Sequence, residues 1–231
     1  MPEEHEGLVR NQESGPNIVA VEVGSIPTGC TKTDPRFVRL CGEQPDTNIS
    51  KSMFNNDAFS NGQVDSKLWL CRELEKLNWT STLTHIYGGW YGVLSFLLLS
   101  RDFPVEKIRS FDIDPTCEPI ADMINNNWVI KEWQFKAMTM DCNSDTPGIP
   151  DLVINTSSEH FGSNQWFDNI APGTRIVLQG NNMVHDDHFG NANSLIEFEE
   201  KYKLEEVVYR GTMDFNYPEW SFTRYMIIGI K

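Results

Sequence analysis

The stretch THIYGGWYGVLSFLLLSRDFPVEKIRSFDID, residues 84–114, contains the local pattern that decides the fold. THIYGG (84–89) is predicted to form a short strand, residues 91–101 a buried helix, and KIRSFDID (107–114) a second strand. A strand, a helix and a strand in this order form a βαβ unit, whose two strands lie parallel in one sheet. The turn between the first strand and the helix is rich in glycine, and the second strand ends in aspartate.

The same alternation continues on both sides of this unit. Further strands are predicted at residues 135–141, 151–156, 175–180, 205–215 and 221–231, and helices at residues 65–79, 119–126, 166–170 and 194–202. The connection between the last two strands is too short for a parallel crossover, so these strands are predicted to be antiparallel. The sequence therefore predicts an α/β fold with a doubly wound, mostly parallel seven-stranded sheet and an antiparallel last strand.

The first part of the chain has a different composition. Residues 1–62 are rich in Pro, Gly, Asn, Ser and Thr and contain only short apolar segments. We expect an irregular N-terminal extension there, which either drapes over the domain or covers the active site. Residues 63–231 are expected to form the ligand-binding domain, and Asp65 or Ser66 is expected to cap its first helix.

Composition and charge indicate which classes of ligand and which cellular location are expected for this chain. The formal net charge is −14, and lysine and arginine form no cluster, which disfavours nucleic acid and favours a small-molecule or protein substrate. The longest apolar run, residues 93–99, is too short to cross a bilayer, and the start of the chain is too acidic for a secretory signal. Five cysteines without close pairing predict reduced thiols, no zinc site and a cytoplasmic location. The oligomeric state stays open.

In open α/β sheets, ligands bind at the carboxyl ends of the strands. After the first strand, the turn at residues 88–92 (GGWYG) allows the backbone to approach a ligand, and the N-terminus of the following helix attracts a carboxylate. Asp112 closes the second strand about 20 residues later, a position suited to accepting the hydroxyls of a ribose. The two features together predict a nucleoside-containing ligand.

The order and spacing of these elements resemble the class I S-adenosylmethionine-dependent methyltransferases over about residues 64–231. In that family the glycine turn reads acidic-x-Gly-x-Gly-x-Gly. Gly88 and Gly92 match its outer glycines, whereas Trp90 replaces the middle glycine and Ile86 the acidic residue. The resemblance implies S-adenosylmethionine as cofactor. It assigns the methionine part of the cofactor to Tyr87, Gly88, Gly89, Trp90 and Gly92.

The resemblance also assigns the remaining cofactor contacts. Asp112 would bind the ribose, Ile113 would lie near the adenine, and Asp141 and Cys142 would contact the adenine amino group and ring. Asn155 would lie near the sulfonium at the end of the fourth strand. The following Thr-Ser-Ser departs from the Pro-Pro-aromatic pattern of the enzymes that methylate amino groups of bases and glutamine, so that subclass is not supported.

Two polar clusters follow the fourth and fifth strands. Glu159 and His160 are candidate general bases for the acceptor, although the start of a solvent-facing helix is an equal alternative. The sequence HDDH at residues 185–188 contains metal-binding residue types, but the surrounding Asn and Gly predict a substrate-contacting loop, and no metal is expected. Three aromatic residues, Phe54, Phe59 and Trp69, suggest an apolar or planar acceptor under a cover formed by the N-terminal extension and the helix at 65–79, but core packing explains them equally well.

The resemblance implies transfer of a methyl group to a small-molecule or protein acceptor. Three alternatives remain open at this point. Another enzyme of the same fold transfers the aminocarboxypropyl arm of the donor or cleaves the cofactor. A nucleotide-linked oxidoreductase shares the glycine turn but lacks the antiparallel last strand. A non-catalytic protein keeps the fold for binding, which the departures at Ile86 and Trp90 would allow.

Overall fold

The structure, a computed structural model, describes residues 55–231. The N-terminal extension predicted for residues 1–62 therefore lies outside the described residues up to residue 54, and so does Phe54 itself. None of the helices described between residues 55 and 231 is both long and apolar enough to cross a membrane.

Seven strands form one sheet in the order β3-β2-β1-β4-β5-β7-β6. The strands are β1 (Ser81–Tyr87), β2 (Val105–Asp112), β3 (Phe135–Thr139), β4 (Leu152–Asn155), β5 (Arg175–Asn181), β6 (Glu206–Asn216) and β7 (Ser221–Ile230). The pairs among β1–β5 are parallel, whereas β7 is antiparallel to both β5 and β6. This confirms the predicted doubly wound sheet with an antiparallel last strand. The strand order reverses at β1, between β2 and β4, and the ligand site of such sheets lies at that point.

The helices occupy the connections between these strands. They are α1 (Asn61–Leu77), α2 (Val93–Ser100), α3 (Cys117–Ile124), α4 (Asn126–Val129), α5 (Gln165–Asp168) and α6 (Leu195–Lys201), with two 3-10 turns at Asn56–Phe59 and Ser158–His160. The start predicted for α1 at Asp65 or Ser66 is wrong. The helix begins at Asn61, because the Ser60 hydroxyl accepts a hydrogen bond from the Gln63 N–H at 3.4 Å and caps it.

Two hydrophobic clusters pack on opposite faces of the sheet. Adjacent residues of a strand belong to different clusters. In β1, Ile86 is in the first cluster and Tyr87 in the second, and in β4, Ile154 is in the first and Val153 in the second. This division follows from the alternation of side chains along a strand. Helices α1 and α2 contribute to the first cluster, α5 and α6 to the second. Both faces of the sheet are therefore covered by apolar side chains.

The antiparallel strand β7 packs tightly against the β6 backbone. A Cβ atom added to Gly229 would lie 1.9 Å from the carbonyl oxygen of Glu206, so this position requires glycine. On its other side, β7 pairs with β5 in a register that places Arg224 opposite Asn181. Arg224 thereby reaches the carboxyl edge of the parallel strands, since β7 runs in the opposite direction.

We predict that Gly229→Ala lowers the free energy of unfolding by about 1–3 kcal/mol, because the added methyl group can be accommodated only if two paired strands separate. Urea denaturation measures this change. Gly162→Ala is the matched control, since no atom lies within 4 Å of a Cβ atom added there. Equal stability of the Gly229→Ala variant and the unmodified chain would contradict the close packing of β6 and β7.

A second stability prediction concerns His85, which is buried in β1. Burial, and then the nearby Arg109, lower the pKa of His85 from 6.5 to about 4. The folded chain therefore keeps this imidazole neutral, whereas the unfolded chain binds a proton below pH 6.5. The free energy of unfolding is thus expected to fall as pH decreases from 6.5 to 4, by about 1 kcal/mol per pH unit.

Urea denaturation of His85→Gln at several pH values between 6.5 and 4 tests this expectation. The variant should lose that part of the pH dependence, while His185→Gln, at an exposed histidine, should keep it. The same slope in the unmodified chain and in His85→Gln would show that His85 is not the group responsible.

Candidate active site

A cavity of about 610 Å³ lies at the carboxyl edge of the parallel strands. Its walls come from the turn after β1, the segments that follow β2 to β5, the start of α1, and the β6–β7 connection with the beginning of β7. The cavity thus occupies the position where doubly wound sheets bind their ligands. It brings together most of the residues that the sequence singled out, together with several that it did not.

The glycine turn adopts left-handed backbone conformations at three positions. These are Gly88 with φ of 62°, Trp90 with 47° and Gly92 with 70°. Glycine adopts this conformation readily, but a bulky side chain does so rarely. At Trp90, the N–H donates a hydrogen bond of 2.8 Å to Asp112 Oδ2. Trp90 thus adopts a backbone conformation that favours glycine, and both Gly88 and Trp90 line the cavity.

The other residues predicted from this turn support it from below and do not line the cavity. A Cβ atom at Gly89 would lie 1.9 Å from Ser110 Oγ of β2, and one at Gly92 would lie 2.6 Å from Asn125 Nδ2. Tyr87 is buried and packs against Phe111 and Trp166. Ile86, which replaces the family's acidic residue, is a core residue. The close packing at these four positions holds the turn in place, and Gly88 and Trp90 are the residues of the turn that line the cavity.

Asp112 is the last residue of β2 and lines the cavity. Besides the contact with Trp90, its Oδ1 accepts a hydrogen bond of 3.1 Å from the Asp114 N–H. Burial raises the pKa of the Asp112 carboxyl above its usual value, although the two backbone donors offset part of this rise. Each carboxylate oxygen has a second lone pair, so the side chain still accepts hydrogen bonds from a ligand. The adjacent Ile113 is 68% exposed and also lines the cavity.

Two further predicted residues line the cavity after β3. The Asp141 carboxylate closes its own turn, because Oδ1 accepts from the Asn143 N–H and Oδ2 from the Ser144 hydroxyl, both at 2.9 Å. Cys142 is buried, and burial, with the nearby Asp141, raises its pKa to about 12. Asn155, by contrast, lies below the cavity, where its Oδ1 accepts a hydrogen bond from the Ser157 N–H at 2.9 Å.

Glu159 and His160 lie in the 3-10 turn after β4, and both line the cavity. Glu159 is only 3% exposed, so the solvent-facing alternative is wrong for this residue. Its Oε1 accepts a hydrogen bond of 2.5 Å from Asn181 Nδ2 and lies 3.5 Å from an Arg224 guanidinium nitrogen. His160 is exposed on the cavity wall, and its ring centroid lies 4.7 Å from that of His188.

The loop after β5 forms the wall beside these two residues, while its contact with a substrate stays a prediction. His185, Asp187 and His188 line the cavity. The loop is tied to the 3-10 turn because the Glu159 carbonyl oxygen accepts hydrogen bonds from the N–H groups of Phe189 at 2.9 Å and Gly190 at 2.8 Å. The clusters at 159–160 and 185–188, which are distant in sequence, are therefore neighbours.

Sequence reasoning missed the contribution of β7 and the β6–β7 connection. Arg224 is 4% exposed, lines the cavity and donates a hydrogen bond to the Thr156 carbonyl oxygen at 3.1 Å. Three aromatic residues of the same wall are stacked: the Tyr217 and Trp220 ring centroids lie 4.3 Å apart, and those of Trp220 and Phe222 lie 5.6 Å apart. The sequence did contain one signal for this wall. It predicts an antiparallel last strand, and such a strand begins at the edge of the sheet where the parallel strands end.

The aromatic residues suggested from the sequence lie elsewhere. Phe59 is 49% exposed and is not part of the cavity wall. Trp69 is buried, and its indole N–H donates a hydrogen bond of 3.0 Å to the Tyr209 hydroxyl. The start of α1 does border the cavity, through Gly62 and Gln63.

No protein-family model and no curated protein matches the sequence. Among solved structures, the chain is similar to the N-methyltransferase NodS from Bradyrhizobium japonicum WM9 in complex with S-adenosylhomocysteine, with a TM-score of 0.59, 12% identity, and coverage of 79% of this chain and 96% of that chain. It is also similar to the magnesium protoporphyrin IX methyltransferase ChlM from Synechocystis PCC 6803 with bound S-adenosylmethionine. The TM-score there is 0.56 at 14% identity, with coverage of 84% of this chain and 89% of that chain. The chain therefore has the class I methyltransferase fold, as its sequence predicts.

Proposed function

We propose that this chain, which has the class I methyltransferase fold, binds S-adenosylmethionine and transfers its methyl group to a small-molecule acceptor. One observation carries the proposal. A single cavity at the switch point of the sheet is lined by the glycine turn and Asp112 on one side, and by Glu159, His160 and a stacked aromatic wall on another. NodS and ChlM, which share the fold, are methyltransferases by name.

The residues at the strand ends fit this cofactor. The open backbone at Gly88 and Trp90 would hold its methionine part, supported from below by Tyr87, Gly89 and Gly92. The remaining lone pairs of the Asp112 carboxylate would accept the ribose hydroxyls. Ile113, Asp141 and Cys142 would surround the adenine, and Asn155 would order the turn near the sulfonium.

When bound, the cofactor supplies a methyl group on an activated sulfonium centre. The chain's own task is therefore to place the acceptor in line with that group and to exclude water. The acceptor would lie against Tyr217, Trp220 and Phe222, whose stacked rings favour a planar or apolar molecule. Glu159 and His160 would promote loss of the acceptor's proton, since both line the cavity.

The described cysteines support a reducing compartment for this reaction. Cys71, Cys117 and Cys142 are buried free thiols. Free thiols are typical of proteins in the cytoplasm, where disulfides are rare. We accordingly propose a cytoplasmic location for the activity.

Calorimetric titration with S-adenosylmethionine and S-adenosylhomocysteine tests the cofactor site. We expect micromolar binding of both compounds by the full chain. Asp112→Asn should raise both Kd values at least about tenfold, because a hydrogen bond to a charged group is worth about 1.5–3 kcal/mol. Asp114→Asn, two residues further on and exposed, should bind almost as tightly as the unmodified chain. Absence of binding by the unmodified chain would refute the proposal and favour a non-catalytic role.

The acceptor side is tested by release of S-adenosylhomocysteine in the presence of planar phenols, amines and carboxylic acids. At least one class should be methylated, and Glu159→Gln or His160→Ala should slow that transfer by about 10²-fold or more. The Kd for S-adenosylmethionine should change less than about threefold in these variants, since neither residue lies on the glycine turn or at the end of β2. Release of methylthioadenosine instead would indicate transfer of the aminocarboxypropyl arm or cleavage of the cofactor.

A further inference from the structure

Glu159, His160 and His188 converge at the acceptor side of the cavity. One potential ligand atom from each lies within 4.8 Å of the other two. The two histidine rings are almost perpendicular, with an interplanar angle of 86°. Glu159 and His160 are adjacent in sequence, but His188 comes from the loop after β5, so the fold alone creates this cluster.

Backbone contacts select the nitrogen that each histidine offers. His160 Nδ1 lies 3.1 Å from the Asp187 carbonyl oxygen, and His188 Nδ1 lies 2.8 Å from the Met183 carbonyl oxygen. A carbonyl oxygen only accepts, so both Nδ1 atoms carry the proton and both Nε2 atoms keep a lone pair. Metal-binding histidines are typically oriented in this way, with the second ring nitrogen donating to a carbonyl or carboxylate.

Only one of the two carboxylate oxygens of Glu159 has a polar partner among the described residues. Its Oε1 is occupied by Asn181 and Arg224, but Oε2 is buried without a hydrogen-bond partner among the described residues. A buried carboxylate oxygen without a partner is costly unless another group binds it. Arg224 balances the charge on one side of Glu159, at its Oε1 atom, so that Oε2 is the oxygen available to a cation.

We propose that Glu159, His160 and His188 bind one divalent transition-metal ion, with Zn²⁺ as the reference ion. Two imidazoles and one carboxylate form the ligand set of many catalytic zinc sites, and the imidazoles disfavour Mg²⁺ and Ca²⁺. Tetrahedral Zn²⁺ holds its ligand atoms about 3.4 Å apart, so the three side chains must close slightly around the ion. His160 is exposed and His188 half-buried, which leaves room for this rotation.

The ion's role rests on the proposed function. A cation here would face the acceptor and leave a coordination position open for its oxygen or nitrogen. Coordination lowers the pKa of a bound hydroxyl or water, so Glu159 and His160 would promote proton loss through the ion and not as free bases. Both interpretations require Glu159 and His160 for transfer. The metal site additionally requires His188 as a ligand, whereas proton removal by Glu159 and His160 as free bases does not.

The test is Zn²⁺ titration of the full chain, freed of any affinity tag, dialysed against EDTA and then buffer, without S-adenosylmethionine. We expect one Zn²⁺ per chain with a Kd in the micromolar range or lower. His160→Ala and His188→Ala should each weaken binding at least about tenfold, as should Glu159→Gln. His185→Ala is the matched control, since this histidine lies in the same loop but outside the cluster, and its Kd should change less than about twofold.

Visible absorption of the Co²⁺-loaded chain provides a second readout that does not depend on catalysis. Its ligand-field bands should be present in the unmodified chain and in His185→Ala, and should be lost or shifted in His188→Ala. No stoichiometric Zn²⁺ binding, or equal weakening by His185→Ala and His188→Ala, would overturn the proposal. Calorimetry with S-adenosylmethionine on the same samples separates the two proposals: Zn²⁺ binding without cofactor binding would refute only the proposed function, and the reverse only the metal site.

Discussion

The hydrogen bond from the Trp90 N–H to the Asp112 carboxylate joins the two strand ends on which the cavity is built. Trp90 has a left-handed backbone conformation that is unfavourable for a large side chain, and a short bond to a charged group offsets part of that cost. The same bond fixes the orientation of Asp112 at the end of β2. The turn after β1 and the carboxylate after β2 therefore form one rigid unit, and the other cavity walls are arranged around it.

The fold could be predicted because its signals are local. Alternating strands and helices, and a connection too short for a parallel crossover, together specify a doubly wound sheet with an antiparallel end. Element boundaries were less accurate: α1 begins at Asn61 because Ser60 caps it, and the sequence contained two other plausible caps, Asp65 and Ser66. Ser and Asp are both residue types that cap helices, so the sequence alone does not distinguish the candidates, and tertiary packing decides which residue caps α1.

The candidate site was predictable where residues lie at or soon after the carboxyl ends of parallel strands, as Gly88, Asp112, Asp141 and Glu159 do. Arg224 was missed because its position depends on the register of an antiparallel strand, which is a long-range property. The juxtaposition of His188 with His160 was missed for a similar reason, since the loop after β5 folds back onto the turn after β4. The two sides of the cavity thus differ in origin. Short turns build the side of the cavity that carries Gly88 and Asp112, whereas a long loop and a hairpin build the side that carries His188 and Trp220.

Cys142 illustrates a further consequence of burial at the cavity wall. A sulfonium compound is an alkylating agent, and a thiolate is the strongest nucleophile that a protein side chain provides. Burial, and then the negative charge of Asp141, raise the pKa of Cys142 to about 12, so at neutral pH the sulfur stays protonated and unreactive. The wall that would enclose a methyl donor is thereby protected from modifying itself. A polarizable sulfur can therefore line the cavity and remain chemically unchanged.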